Sequence, residues 1–381
     1  MKRPRSRARS AARRTIFIVI FLLMFNYLVL PRLAASRESA DLIRSVNPFL
    51  LLLALGLELS AFVAYSVLTR ATLPRQPRLS LPLLVRIQLA TKAVTNLVPG
   101  GSAAGSTVGY RLLTDSGVSP AAATFTLATI GLGSAVVLNL LLWIALLISI
   151  PVNGFNPLYL TAAIIGLILM VAMAALILLL MKGTGRAERV FRAIARHVPF
   201  VNEETVSRAV HQVANRLFDL LDQPNLIGRS VLWATVNWVL DAAALWVFLR
   251  AFGGTVSPVN LIVAFGLANV LAAIPITPGG LGVVEAALTP TLVGFGLTKG
   301  TATVGVLAYR FAQFWLPIPL GGLSYASLKL GPLARKRRME AVRDLAAQTA
   351  EAADKRLWDP ATGEQPVIAP PDRPEPDESP A

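Results

Sequence analysis

Six ionisable residues sit inside otherwise apolar stretches of this chain: Glu58, Arg86, Lys92, Asp241, Glu285 and Arg310. On insertion scales a charge at the bilayer centre costs about 2.5–3.5 kcal/mol or more, so such residues turn inward, toward one another or toward water. Two kinds of chemistry fit them. Three carboxyls against three cations allow internal ion pairing that holds a helical bundle together. Alternatively, Arg86, Lys92 and Arg310 supply donors for a phosphate, arginine gripping two of its oxygens at once. Asp241 or Glu285 would be the base of a transferase, and Glu285 is also the candidate ligand for a proton, a cation or an amine. Lys92 and Asn96 stand four residues apart and share a helix face. Catalysis finds less support: no paired-carboxylate motif, nucleotide loop or metal-ligand spacing accompanies these charges. The absence of cysteine rules out thiol chemistry, and His197 and His211 are too few for a histidine-rich metal site. The expectation is a protein without catalytic residues, metal or cofactor.

The elements that must position these charges are broken at two places. Pro99-Gly100-Gly101 interrupts one apolar stretch and Pro278-Gly279-Gly280 another, 179 residues later. Proline removes a backbone donor and paired glycines do not hold a helix, so each segment stops and turns at membrane depth. Broken backbone survives there only when buried in protein or lining a wet cavity. Each break also exposes a helix N-terminus, an anion-attracting end. Ser102 is placed to cap the first. Glu285, one turn into the second, would compensate that dipole itself, which leaves the first hairpin as the better phosphate site. A tight reversal that merely packs two hairpins is the structural alternative for both motifs.

Composition sets the class. The chain of 381 residues is 54% hydrophobic and 15% charged, with a mean hydropathy of +0.60, which is a multi-span membrane protein. The fold expected is all-α and polytopic, with about six full transmembrane spans plus two broken, half-spanning hairpins. Full spans are expected over 15–33, 47–69, 120–150, 158–181, 230–251 and 302–328. The hairpins occupy 81–113 and 259–296. Residues 1–14 form a basic cytoplasmic N-terminus, 15–330 the membrane domain and 331–381 a cytoplasmic tail, disordered after about 358. An amphipathic insertion at 182–228 lies on the cytoplasmic surface. The first apolar run reads as an uncleaved span rather than a signal peptide. The net charge of +15 clusters beside apolar spans, so it sets orientation and meets anionic lipid headgroups, not nucleic acid. Both termini fall on the cytoplasmic side of a bacterial plasma membrane.

Aligning the two Pro-Gly-Gly motifs without gaps to Thr124 and Thr303 gives seven identities in 26 positions, among them Leu113/Leu292, Gly117/Gly296 and Ala123/Ala302. Three full spans separate the hairpins, so the halves would form an inverted repeat. Asn96 with Pro99-Gly100-Gly101, the segment from Thr277 through Gly282 to Glu285, and Ala308-Tyr309-Arg310 with Trp315 carry a resemblance. They resemble the membrane region of the lysylphosphatidylglycerol synthase family, a flippase-like domain, over roughly residues 15–330. The resemblance implies movement of an anionic, aminoacylated or glycosylated lipid across the bilayer, with membrane lipids as partners. The cytosolic synthase domain of the bifunctional members is not expected here. A membrane-embedded lipid transferase and a non-transporting envelope-biogenesis scaffold are the competing functions.

Overall fold

The computed structural model describes residues 46–74, 78–98, 101–153, 223–272 and 277–330, with parts of 160–171. The expected first span and basic terminus, most of the 182–228 insertion, Pro99, Gly100 and the tail lie outside these residues. The described chain is entirely helical, without strands. In order it comprises α1 (Pro48–Thr72), α2 (Leu81–Leu97), α3 (Gly101–Thr114), α4 (Pro120–Asn153), α5 (Pro224–Ala251) and α6 (Pro258–Ala272). A short 3₁₀ turn (Pro278–Gly280) follows, then α7 (Val283–Gly294), α8 (Lys299–Arg310), a π turn (Phe311–Trp315) and α9 (Pro317–Leu330). Chain contacts group residues up to Tyr325 into one unit, and the site lies wholly within it.

Three of these helices, α1, α4 and α5, are long and apolar enough to cross a membrane. Proline at the first position starts α1 and α5, where its missing N–H costs nothing and its fixed φ suits the helix. Asn47 caps α1 by accepting from Phe49 N and Leu50 N at 3.0 and 3.3 Å. These two helices form the closest pairing in the fold and run antiparallel. Asn47 N donates to Ala251 O at 3.2 Å, and Asn237 Nδ2 to Ala61 O at 3.0 Å. Glu58 is ten residues from the start of α1 and Asp241 ten residues from the end of α5. Both therefore stand about 15 Å from the same end of the pair, half the thickness of a hydrocarbon core of roughly 30 Å.

The first hairpin is held by small residues. Gly101, Gly105 and Gly109 fall on one face of α3, and a Cβ at Gly101 or Gly105 would run into the Thr95 carbonyl or hydroxyl of α2. Closely packed small residues substitute for hydrophobic burial between helices in lipid. α3 begins at Gly101 itself, so Ser102 lies inside its first turn, exposed, and does not precede it as a cap.

Two boundaries differ from expectation. α5 already begins at Pro224, so the last residues assigned to the amphipathic insertion belong to a helix long and apolar enough to cross a membrane. The segment 302–328 is not one regular helix but α8, the π turn and α9. Leu316 N donates to Phe311 O at 2.8 Å, five residues back. Pro317 and Pro319 remove two donors just beyond, which is the local reason the α register fails there.

The turn between α3 and α4 and the turn between α7 and α8 are the same turn. Val118 N donates to Leu113 O and Leu297 N to Leu292 O, both at 3.2 Å. Gly117 and Gly296 both take positive φ, 89° and 99°, as the left-handed residue after a helix does. Ser119 Oγ then accepts from Ala122 N, and Thr298 Oγ1 from Thr301 N, at 3.3 and 3.2 Å. Every member of one set lies 179 residues from its counterpart, the offset of the sequence repeat.

Candidate functional site

The last turn of α2, just before the first break, meets the second break. Asn96, in the last turn of α2, donates from Nδ2 to Phe314 O at 2.8 Å. Its Oδ1 lies against Gly279, where an added Cβ would stand 2.8 Å from that oxygen and 2.6 Å from Phe314 Cε2. Gly279 and Gly280 have φ of 53° and 69°, a conformation that side-chain-bearing residues avoid. The Pro278-Gly279-Gly280 turn thus brings backbone carbonyls to a place where no regular helix would expose them.

Arg310 is the bolt of this junction. It is 1% exposed, yet each part of its guanidinium is occupied. Nε donates to Glu285 Oε1 at 2.8 Å, Nη1 to Gln313 Oε1 at 2.6 Å and Nη2 to Gly279 O at 3.3 Å. The guanidinium carbon also stands 4.8 Å from the centre of the Phe314 ring, within cation–π range. Glu285 is equally committed: its second oxygen accepts from Gly282 N at 2.7 Å, closing the first turn of α7 as a carboxylate at a helix N-terminus does. With each nitrogen of Arg310 and each oxygen of Glu285 already bonded within the junction, the pair is built as a structural tie more than as an open grip for a phosphate or an amine.

A second cluster lies beside it, on α1, α2, α5 and α8. Asp241, buried, accepts from the Tyr309 hydroxyl at 2.7 Å. Glu58, 2% exposed, stands at the level of Asp241 on the neighbouring helix, and no donor reaches its Oε2. Lys92 is half-buried. It stands in the field of Glu58, Asp241 and Arg310 without closing a 4.0 Å ion pair with either carboxyl. Arg86 does not join them: it bonds Pro82 O at 3.3 Å, six residues and about 9 Å of helix nearer the start of α2. The three cations do not converge as one grip. An apolar cleft of about 190 Å³ opens elsewhere, between α4, α5 and α6, lined by Leu142, Trp238, Trp246 and Phe265. It has room for hydrocarbon but no polar group for a headgroup.

The paired breaks, with their buried ion pair, are the features to compare with known proteins. The profile of the Lysylphosphatidylglycerol synthase TM region family matches residues 14–321. The chain belongs to this family. It is 23% identical over 319 residues to a UPF0104 membrane protein of Methanothermobacter thermautotrophicus, an alignment covering 80% of this chain and 93% of that one. It is 29% identical over 100 residues to the Inner membrane protein YbhN of Escherichia coli, 26% of this chain and 30% of that one. An uncharacterized protein of Synechocystis is 34% identical over 109 residues, covering 28% and 32%.

In this member of the TM region family, several residues at the site carry no signal in sequence alone. Gln313 and Phe314 read as ordinary span residues. Tyr309 stands out only as the neighbour of Arg310. Adjacent helical residues point about 100° apart, which lets Tyr309 serve the Asp241 cluster while Arg310 serves Glu285. Glu58 was legible as a buried charge but not as a member of the site. The single acidic residue in each of α1 and α5, ten residues from one end of its helix, was the available clue.

Proposed function

We propose that this protein translocates a lipid with an anionic, aminoacylated or glycosylated headgroup across a bacterial cytoplasmic membrane. It works as a carrier, not an enzyme, with membrane lipids as its partners. The carrying observation is that two broken segments, 179 residues apart, converge on one buried polar junction. Breaks of this kind at corresponding places in two halves mark substrate sites in transporters. The matched turns at Gly117 and Gly296 support the repeat, and the family's name ties it to a lipid-handling membrane region. Lys92 is the headgroup ligand in this reading, because Arg310 is already paired. The architecture is six full spans and two half-spanning hairpins, inverted about the membrane plane, with both termini cytoplasmic.

Proteoliposomes carrying a panel of fluorescent lipids test the reading. Wild-type protein is expected to move some headgroups and not others. Lys92→Gln is expected to lose tenfold or more of the movement of anionic lipids with the fold intact. Chemical conversion of a lipid without its movement would favour the transferase instead, and an inert protein in every panel would leave the scaffold. Topology has its own test, since the chain has no cysteine. Single cysteines at Ser116 and Ser207 are expected to be labelled only from the cytoplasm, and those at Asn153 and Thr255 only from outside. Labelling of Ser116 from outside would make the first hairpin a full crossing and undo the inverted repeat.

A further inference from the structure

We propose that Glu58 and Asp241 together hold one exchangeable proton, and that this proton decides whether Lys92 is available to an anion. Two buried carboxyl groups stand at the same level of the paired helices α1 and α5, neither closes an ion pair with Lys92, and an ionised carboxylate only accepts. Two carboxyls held side by side at this depth cost far less when one oxygen carries a hydrogen. No other donor supplies it: the Tyr309 O–H is spent on Asp241 Oδ1, and Glu58 Oε2 is buried with no donor at all.

Charge leads to the same place. Arg310 is consumed by Glu285, so two carboxyls face one cation, Lys92. The other ionisable groups turned toward the pair are Tyr309 and Arg310 of α8, with Glu285 behind Arg310. α4 and α6, which pack on the same core, carry no ionisable residue. A surplus negative charge at this depth is costly, and one bound proton removes it. A metal ion fits poorly. Hard cations take six or more oxygens, and among the described residues no three acidic, histidine or cysteine side chains gather for one.

The consequence is an exchange at Lys92. With the proton bound, the carboxyls claim less of the ammonium, and an anionic headgroup can take it. With the proton gone, two carboxylates compete for Lys92 and the anion is displaced. Proton and anion therefore bind with positive coupling. This second step rests on the lipid reading above; the proton site itself does not.

Infrared difference spectroscopy on the purified full-length protein tests the site. At neutral pH the wild type is expected to show a protonated-carboxyl C=O band that shifts in D₂O. Both Glu58→Gln and Asp241→Asn are expected to remove it. No such band in wild-type protein, or a band that persists in both variants, overturns the proposal, and the wild-type result needs no variant to fold. For the exchange step, dihexanoyl phosphatidylglycerol is the probe, because its diester phosphate stays anionic. Its binding is expected to weaken up to about tenfold per pH unit as pH rises, and to lose that slope in Asp241→Asn. The same slope in the variant overturns the coupling. A proton band without any lipid binding or movement would sink the lipid reading and leave the proton site standing.

Discussion

Arg310→Met is expected to destabilise the protein by about 3–5 kcal/mol, and Arg310→Met with Glu285→Met to recover most of that loss. The asymmetry comes from burial. Removing one partner strands the other charge in a low-dielectric interior, whereas replacing both by apolar groups of similar volume is often nearly neutral. Here the stranded group would be Glu285, 8% exposed and left with Gly282 N as its remaining donor. Arg310→Lys is expected to fall between wild type and Arg310→Met. A lysine keeps the charge but cannot reach Glu285, Gln313 and Gly279 O from one planar fork. Unfolding followed by tryptophan fluorescence across the four corners of the double-mutant cycle measures the coupling. Additive losses would mean that Arg310 and Glu285 act independently, and would return Arg310 to the set of possible headgroup ligands.

The second large effect is expected at the junction itself. Gly279→Ala must hold a left-handed residue, at about 1–2 kcal/mol, and must also place a methyl 2.6 Å from Phe314 and 2.8 Å from Asn96. Either the Phe314 ring or the Asn96 bond to Phe314 O has to yield, so stability and lipid movement should fall together. Two controls separate the causes. Gly282→Ala has φ 83° but open space around its Cβ, so it carries the backbone cost alone. Gly131→Ala, inside α4 with nothing near it, should stabilise by roughly 0.5–1 kcal/mol. Thermal midpoints in the order Gly131→Ala, wild type, Gly282→Ala, Gly279→Ala are the expected result. Equal losses at Gly279 and Gly282 would mean that backbone strain, not the meeting of α2 with the second break, sets the requirement for glycine.

What could be seen in the sequence was local or repeated. The Pro-Gly-Gly breaks announced themselves because proline and glycine act on their own backbone. The 179-residue offset could be found because it depends on spacing alone, and the turns at Gly117 and Gly296 give it a physical content. The carboxylate of Glu285 over the first turn of α7 was accessible for the same reason, since three residues of separation lie within one helical turn. The pairings were not. Arg310 finds Glu285 across 25 positions and Asn96 finds Phe314 across 218, distances at which composition carries no information about who meets whom. A tally of three carboxyls and three cations suggested balance. The structure instead closes one pair tightly, sets Arg86 a turn and a half away along α2, and leaves Glu58 and Asp241 with Lys92. The irregularity after Arg310 had a visible cause in Pro317 and Pro319, but a pair of prolines does not say whether a helix will kink, stop or take up an extra residue.

That extra residue has a meaning of its own. A π turn inserts one position into an otherwise α-helical path, and one position is about 100° of rotation. Upstream of it, Tyr309 and Arg310 are aimed at carboxyls on α5 and α7. Downstream, Gly321 is pressed against the Leu89 carbonyl of α2. In an unbroken α-helix these two faces would be locked at one angle, and perfecting either alignment would spoil the other. The surplus residue at Phe311–Trp315 acts as a phase shifter between them: it lets the charge-bearing half and the contact-bearing half of a single rod be tuned separately, by as little as one amino acid.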